Sequence, residues 1–285
     1  MSWYRKYWDA IDQLYWDPGL LGLGSIGAKK QVKKDGVILV PSDFVKNGGS
    51  IYARNGTAAF NAERMRRLEE PLNHIFDIMF GIAPNSVVRR LLASPLGIED
   101  DGPFLRLGRE IAERYSILKG GTTTQQDGYF VSATSLIGVE LKLMSSTNPG
   151  QVLKYAALMA SEQQLTGKRE RLGLLFITPN VDGESTFKNG ALNPDGSVPA
   201  DFFARVPAKE KNGQIDKFLE AAGDEVEAVL DRIRISHLSW AHLRDNVRRI
   251  AAEQDQNDAG GETLARLMDG FADAIEAQTG CITAS

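Results

Sequence analysis

Cysteine is almost missing from this chain: its 285 residues include one, Cys281. A single thiol closes no internal disulfide, so a reducing, cytoplasmic setting is the expectation. With no histidine near it in sequence, Cys281 does not read as a catalytic thiol. Histidine is scarce as well. His74, His237 and His242 do not have the spacing of a zinc set. No apolar run approaches the roughly 18 residues of a membrane span, and Met1-Ser2-Trp3-Tyr4-Arg5-Lys6 has none of the apolar stretch of a secretory signal; no membrane partner is expected. Net positive charge is absent: the formal charge is -4 and the pI about 5.6. That excludes indiscriminate coating of nucleic acid, but local basic patches can still offset an acidic site. Internal repeats and low-complexity tracts are lacking too.

What is present is the make-up of a globular protein, 42% hydrophobic and 25% charged, which suffices to bury a core. The length fits one large α/β domain, or a core of roughly 150 residues with additions. Residues 1–100 read as an N-terminal region of mixed, mainly helical structure that could serve substrate recognition. It has an aromatic helix over 3–16, a short strand over 37–40, and a helix over 57–80 that Pro71 should cap, kink or split. Residues 101–285 read as the core. Phe104, Leu107, Ile111, Tyr115 and Leu118 recur at helical spacing. Strands are expected over 129–133, 136–144, 172–178 and 232–236, and helices over 151–165, 214–229, 239–253 and 262–278. An irregular insertion rich in Gly, Pro, Asn and Asp occupies 180–211. Together these elements predict an α/β fold, a mixed β-sheet flanked by helices.

The chemistry concentrates in one stretch. In Ile137-Gly138-Val139-Glu140-Leu141-Lys142-Leu143-Met144, strand alternation sends Val139, Leu141 and Leu143 to one face and Glu140 and Lys142 to the other. Asp127 lies 13 residues before Glu140, about one hairpin, so the two carboxylates can converge from adjacent strands. Hard cations such as Mg²⁺ take oxygen ligands of this kind, together with water and phosphate oxygens. After the strand, Gln151 and Tyr155 are four apart and share a helix face. The start of that helix favours a nearby anion.

This pattern resembles the PD-(D/E)xK nuclease superfamily: Asp127 as the first acid, Glu140-Leu141-Lys142 as the acid-x-Lys triplet, and Gln151-Val152-Leu153-Lys154-Tyr155 as the Gln-xxx-Tyr motif of its lambda-exonuclease and RecB-type branches. The likeness covers roughly residues 104–180 and extends more loosely to 253. Gln126 stands where the superfamily has proline, and the helix expected before Gly120-Gly121 has no histidine. The resemblance implies a restriction-endonuclease-like core and a metal-dependent nuclease acting on DNA, in restriction, phage defence or DNA processing. It implies Mg²⁺, or Mn²⁺ in its place, held by Asp127, Glu140 and the Leu141 carbonyl, polarising the phosphoryl group and acidifying water. Lys142 would orient that water or offset developing charge, while Gln151 and Tyr155 would position the phosphate and the carboxylates. A third acid from the preceding helix would be Glu110 or Glu113, and a homodimer is consistent with the superfamily. The competing expectation is a catalytically inactive nuclease fold used for nucleic-acid binding or assembly.

Other signals carry less. Gly22-Leu23-Gly24-Ser25-Ile26-Gly27 spells a dinucleotide fingerprint, but Asp17-Pro18-Gly19 stands where its lead-in strand should be. The basic clusters at 29–34, 64–67, 168–171 and 244–249 read individually as solvated surface. Trp3, Trp8, Trp16 and Trp240 could stack on bases, though core or interface packing is the simpler reading.

Overall fold

The computed structural model describes residues 3, 6, 32–34, 37–39, 69–107, 127–143, 147–179, 187, 191–193, 196–206 and 213–283. Its frame is a five-stranded mixed sheet in simple sequence order. Strand β3 (Leu105–Arg106) pairs antiparallel with β4 (Gly128–Val131), and β4 pairs antiparallel with β5 (Ser135–Leu141). Beyond β5 the direction is constant: β6 (Arg171–Thr178) and β7 (Arg234–Ser239) run parallel to it. A separate two-stranded ribbon pairs β1 (Val32–Lys34) with β2 (Val37–Leu39).

Helices cover both faces. On one lie α1 (Glu69–Ile82), α2 (Asn85–Val88), α6 (Trp240–Ala252) and α7 (Ala259–Thr283). Their apolar stripes meet Phe130, Ile137, Val139, Leu141 and Leu175 of the sheet. Buried apolar residues between Leu72 and Ile98 belong to this same cluster, and the rings of Phe76, Phe80, Phe130 and Phe271 interlock edge to face within it. The opposite face is covered by α3 (Pro149–Thr166) and α5 (Gly213–Leu230), with a short turn of helix, α4 (Phe202–Arg205). They enclose a second cluster with Tyr129, Leu136, Leu174 and Phe176. Every residue of β5 is buried, as expected of a central strand with helices on both sides. The architecture is therefore α/β, an open mixed sheet between helical layers.

Local chemistry explains the element ends. The Asn148 side chain accepts from the Gln151 N–H at 3.1 Å and Pro149 opens α3, a favoured start for a helix. Gly167, at φ 94, ends it. Ser239 caps α6 by accepting from the His242 N–H at 3.1 Å. The hairpin over 129–144, the strand over 172–178 and the helix over 151–165 appear within a few residues of their expected bounds.

Two expectations need correction. The helical repeat does not begin at Phe104. Leu105 and Arg106 pair with Val131 and Phe130, and the Leu107 N–H donates to the Tyr129 carbonyl at 2.7 Å. Sheet pairing overrides local periodicity there; residues 108–118, including Glu110 and Glu113, lie outside the described residues. The last strand is also shifted, running to Ser239 because β6 pairs with it through Thr178. The glycine pattern at 22–27 and most of 180–211 fall outside the described residues as well.

Candidate active site at the carboxyl end of the central strand

The carboxyl ends of β5, β6 and β7 emerge together, the place where open α/β sheets present ligand crevices. Glu140 and Lys142 stand at the end of β5, and both are buried, 4% and 8% exposed. A solvated Glu/Lys pair on an open sheet face is thereby ruled out. The Lys142 ammonium contacts Glu140 Oε1 directly. Gln151 Nε2 donates to the same Oε1 at 2.6 Å and to the Tyr155 hydroxyl oxygen at 2.8 Å. The Tyr155 O–H in turn donates to Glu140 Oε2. The strand–loop–helix connection brings these four side chains together because the first two turns of α3 pack beside the strand they follow.

Burial is the first reason that the Tyr155 phenol is pushed well above its ordinary range; the Glu140 carboxylate, with Asp127 behind it, adds to the effect. A phenol so held stays protonated and acts as a fixed donor. Glu140 is clamped by an amine, an amide and a phenol, a geometry that sets its orientation.

Asp127 arrives from the start of β4. The register pairs Gly128 with Val139, so one step further Asp127 faces Glu140 across the ladder. Its Oδ2 accepts from the Leu141 N–H at 2.8 Å, beyond the last backbone pairing described between β4 and β5. Residues in an antiparallel pair present N–H and C=O to the same side, so the Leu141 carbonyl looks toward Asp127 too. The other carboxylate oxygen, Oδ1, accepts from Asn73 Nδ2 of α1 at 2.6 Å. Asn73 Oδ1 is buried and has no hydrogen-bond partner.

Sequence reasoning missed this contribution from α1. Asn73 and Asp77 are one turn apart beside the apolar stripe Leu72, Ile75, Phe76, Met79 and Phe80, and that polar pair at i, i+4 is the one signal that marked it. Arg106 of β3 forms an ion pair with Asp77 and reaches the Asp127 backbone carbonyl at 3.4 Å. Burial raises the Asp77 carboxyl, while Arg106 and His74 pull it back. No local pattern foretold Arg106, since sheet pairing alone brings it there.

Among the described residues, no three His, Cys, Asp or Glu side chains gather as a metal cluster. The donors here are instead two carboxylates, a backbone carbonyl and the orphaned Asn73 oxygen. An all-oxygen set of this kind is the donor chemistry a hard divalent ion takes, and the Asn73 oxygen is a buried acceptor whose hydrogen-bonding capacity is unused. Several other side chains weighed from sequence have structural partners, while Trp8, Trp16 and the basic residues at 29–30 and 64–67 lie outside the described residues. Trp240 is buried and its Nε1–H donates to the Lys142 carbonyl at 2.8 Å, and Trp3 donates to the Leu267 carbonyl at 3.1 Å. Arg248 pairs with Glu276 and Asp273. Arg169 serves the carbonyls of Ser132, Thr166 and Gly167 at the far end of the sheet.

Comparison of the chain with protein-family models, with curated proteins and with solved structures finds no match.

Proposed function

We propose that this chain is a divalent-metal-dependent nuclease that hydrolyses phosphodiester bonds, with DNA as substrate, on a core of the restriction-endonuclease type. The observation that carries the reading is the buried Glu140–Lys142 pair at the end of the central strand, clamped by Gln151 and Tyr155, with Asp127 tied to the intervening Leu141 N–H. Burying an acid and an amine costs several kcal/mol of desolvation, and apolar residues of the same size would spare the fold that cost. Such an arrangement in a place where ligands bind is a candidate for chemistry.

Asp127, Glu140 and the Leu141 carbonyl would hold Mg²⁺, or Mn²⁺ in its place. Bound there, the ion supplies Lewis acidity and lowers the pKa of a water molecule. Hydrolysis adds water oxygen to phosphorus, breaks one P–O ester bond, and passes a proton to the departing oxygen. Lys142 offsets charge gathering on the phosphoryl oxygens. Gln151 and Tyr155 keep the Glu140 carboxylate aimed.

The test is incubation with DNA and RNA substrates, with and without Mg²⁺. Cleavage should require the ion and fall by at least about a hundredfold in Glu140→Gln, Asp127→Asn and Lys142→Met. Cleavage that persists in all three folded variants would overturn the reading. A second reading has one observation in its favour: Glu140 is already engaged by three side chains, as in a purely structural network. A nuclease-fold protein that only binds nucleic acid would retain affinity in the same variants and cut nothing.

A further inference from the structure

We infer that the groove between α1 and α7 is an interaction surface whose occupant is the chain's own N-terminal segment, residues 3–16, keyed into place by Trp3. Gly270 sits in the middle of α7, where glycine is a poor helix former and alanine the best. A Cβ at that position would collide with the Trp3 indole, so the missing side chain is a notch that admits the ring. The indole N–H donates to the Leu267 carbonyl at 3.1 Å, one turn earlier on the same helix. That bond fixes the direction of the ring as well as its place.

The rest of the groove shows what kind of partner it takes. It is an open trough of about 1070 Å³ lined by Ile78 and Ile82 of α1 and by Leu264 and Leu267 of α7. Ile78 and Ile82, one turn apart, are 40% and 66% exposed, so an apolar strip of α1 faces the trough. Lys6 lines it together with Asp269 and Asp273 of α7, and Arg266 is the other cation there.

An occupant therefore needs an apolar stripe and a basic start. Residues 3–16 have both. Arg5 and Lys6 are followed by Tyr7, Ile11 and Leu14, which stand four, eight and eleven residues after Trp3. On a helix that spacing gathers all four on one side, the anchor pattern of an amphipathic helix laid in a groove. Because Trp3 of this same chain fills the notch, the partner is the chain itself and not a second copy. The helix so covered, α1, is also the one that presents Asn73 to Asp127.

Trypsin cleavage after Arg5 and Lys6 in the native, full-length protein reads how often the segment leaves the groove. Cleavage should accelerate at least about tenfold in Trp3→Ala and in Gly270→Ala, the latter leaving the cleaved sequence untouched and giving α7 a better helix former. The double variant should be cut no faster than Trp3→Ala alone, since without the indole the added methyl meets nothing. Ile82→Gln should accelerate cleavage too, whereas Leu165→Gln, at a leucine of α3 that is 59% exposed, should not. Both are surface changes that leave the core intact, and circular dichroism identifies any variant that fails to fold. Wild-type cleavage rates in Trp3→Ala and Gly270→Ala, or equal effects of Ile82→Gln and Leu165→Gln, overturn the inference. Protection that weakens on dilution would give the groove to the segment of a second copy, and overturns it as well. No outcome bears on the nuclease reading, because the assay uses neither nucleic acid nor metal.

Discussion

Glu140 and Lys142 hold each other in a place that water barely reaches, and the energetics of such a pair are asymmetric. Together they offset most of each other's desolvation; remove one, and the other is left buried and charged, at a cost of about 3–5 kcal/mol. Glu140→Gln in metal-free buffer should therefore destabilise the fold by that order, because the amide keeps the size but leaves the ammonium of Lys142 uncompensated. Glu140→Gln combined with Lys142→Met should recover much of the loss, since no buried charge then lacks its counter-ion. Urea midpoints of the two variants decide the matter. A double variant no more stable than Glu140→Gln would show that the ammonium is not held against the acid as described. The same comparison separates function from stability, for the double variant should fold well and cleave nothing.

At the scale of elements, the β4–β5 hairpin is held by a carboxylate from outside it. Burial by itself would raise the Asp100 carboxyl, but the Ser132 hydroxyl, with the Gly102 N–H at 2.8 Å and the Thr134 hydroxyl at 2.8 Å among the other donors, pulls it down to about 2. The sign follows from proton binding. Between about pH 4, the ordinary Asp value, and 2, the unfolded chain binds a proton that the folded chain refuses. The stability contributed is complete above that window and is lost as pH falls through it. Asp100→Asn should be less stable than wild type at pH 7 by of order 1–2 kcal/mol once solvent screening is allowed for, with the difference shrinking toward pH 2. Denaturation midpoints at pH 7, 4 and 2.5 check this; a gap that widens on acidification would refute it. Elements of this kind divide sharply in how visible they are from sequence. The hairpin, α3 and β6 carry their own signals, in alternation, an Asn-Pro start and an apolar run. The two-residue strand β3 carries none, because its pairing with β4 is a tertiary fact, and the spacing from Phe104 to Leu118 points to helix instead.

Over the whole molecule the same division decides which parts of the site could be foreseen. Glu140, Lys142, Gln151 and Tyr155 lie within sixteen residues, on one strand and the helix that follows it, so short-range geometry brings them together. Asn73 and Arg106 reach the same region from α1 and β3, and only the assembled sheet reveals them. The assembled site predicts a response of the entire fold. Asp127 is fixed by α1 and by the central strand at once, so an ion held at its carboxylate, as proposed, would draw on contacts from that helix and the sheet. Binding to the folded chain alone adds about 2.7 kcal/mol of stability when the ligand is at a hundred times its Kd. For a protein of this size that raises Tm by of order 5 °C. Thermal unfolding followed by tryptophan fluorescence should show that rise with Mg²⁺ or Mn²⁺, at constant ionic strength, and not with K⁺. Asp127→Asn and Glu140→Gln should start from a lower Tm and gain nothing from the divalent ion, and Asn73→Ala should gain less than wild type. An equal shift in wild type and in both carboxylate variants would place the ion elsewhere on the surface and remove the metal from this site.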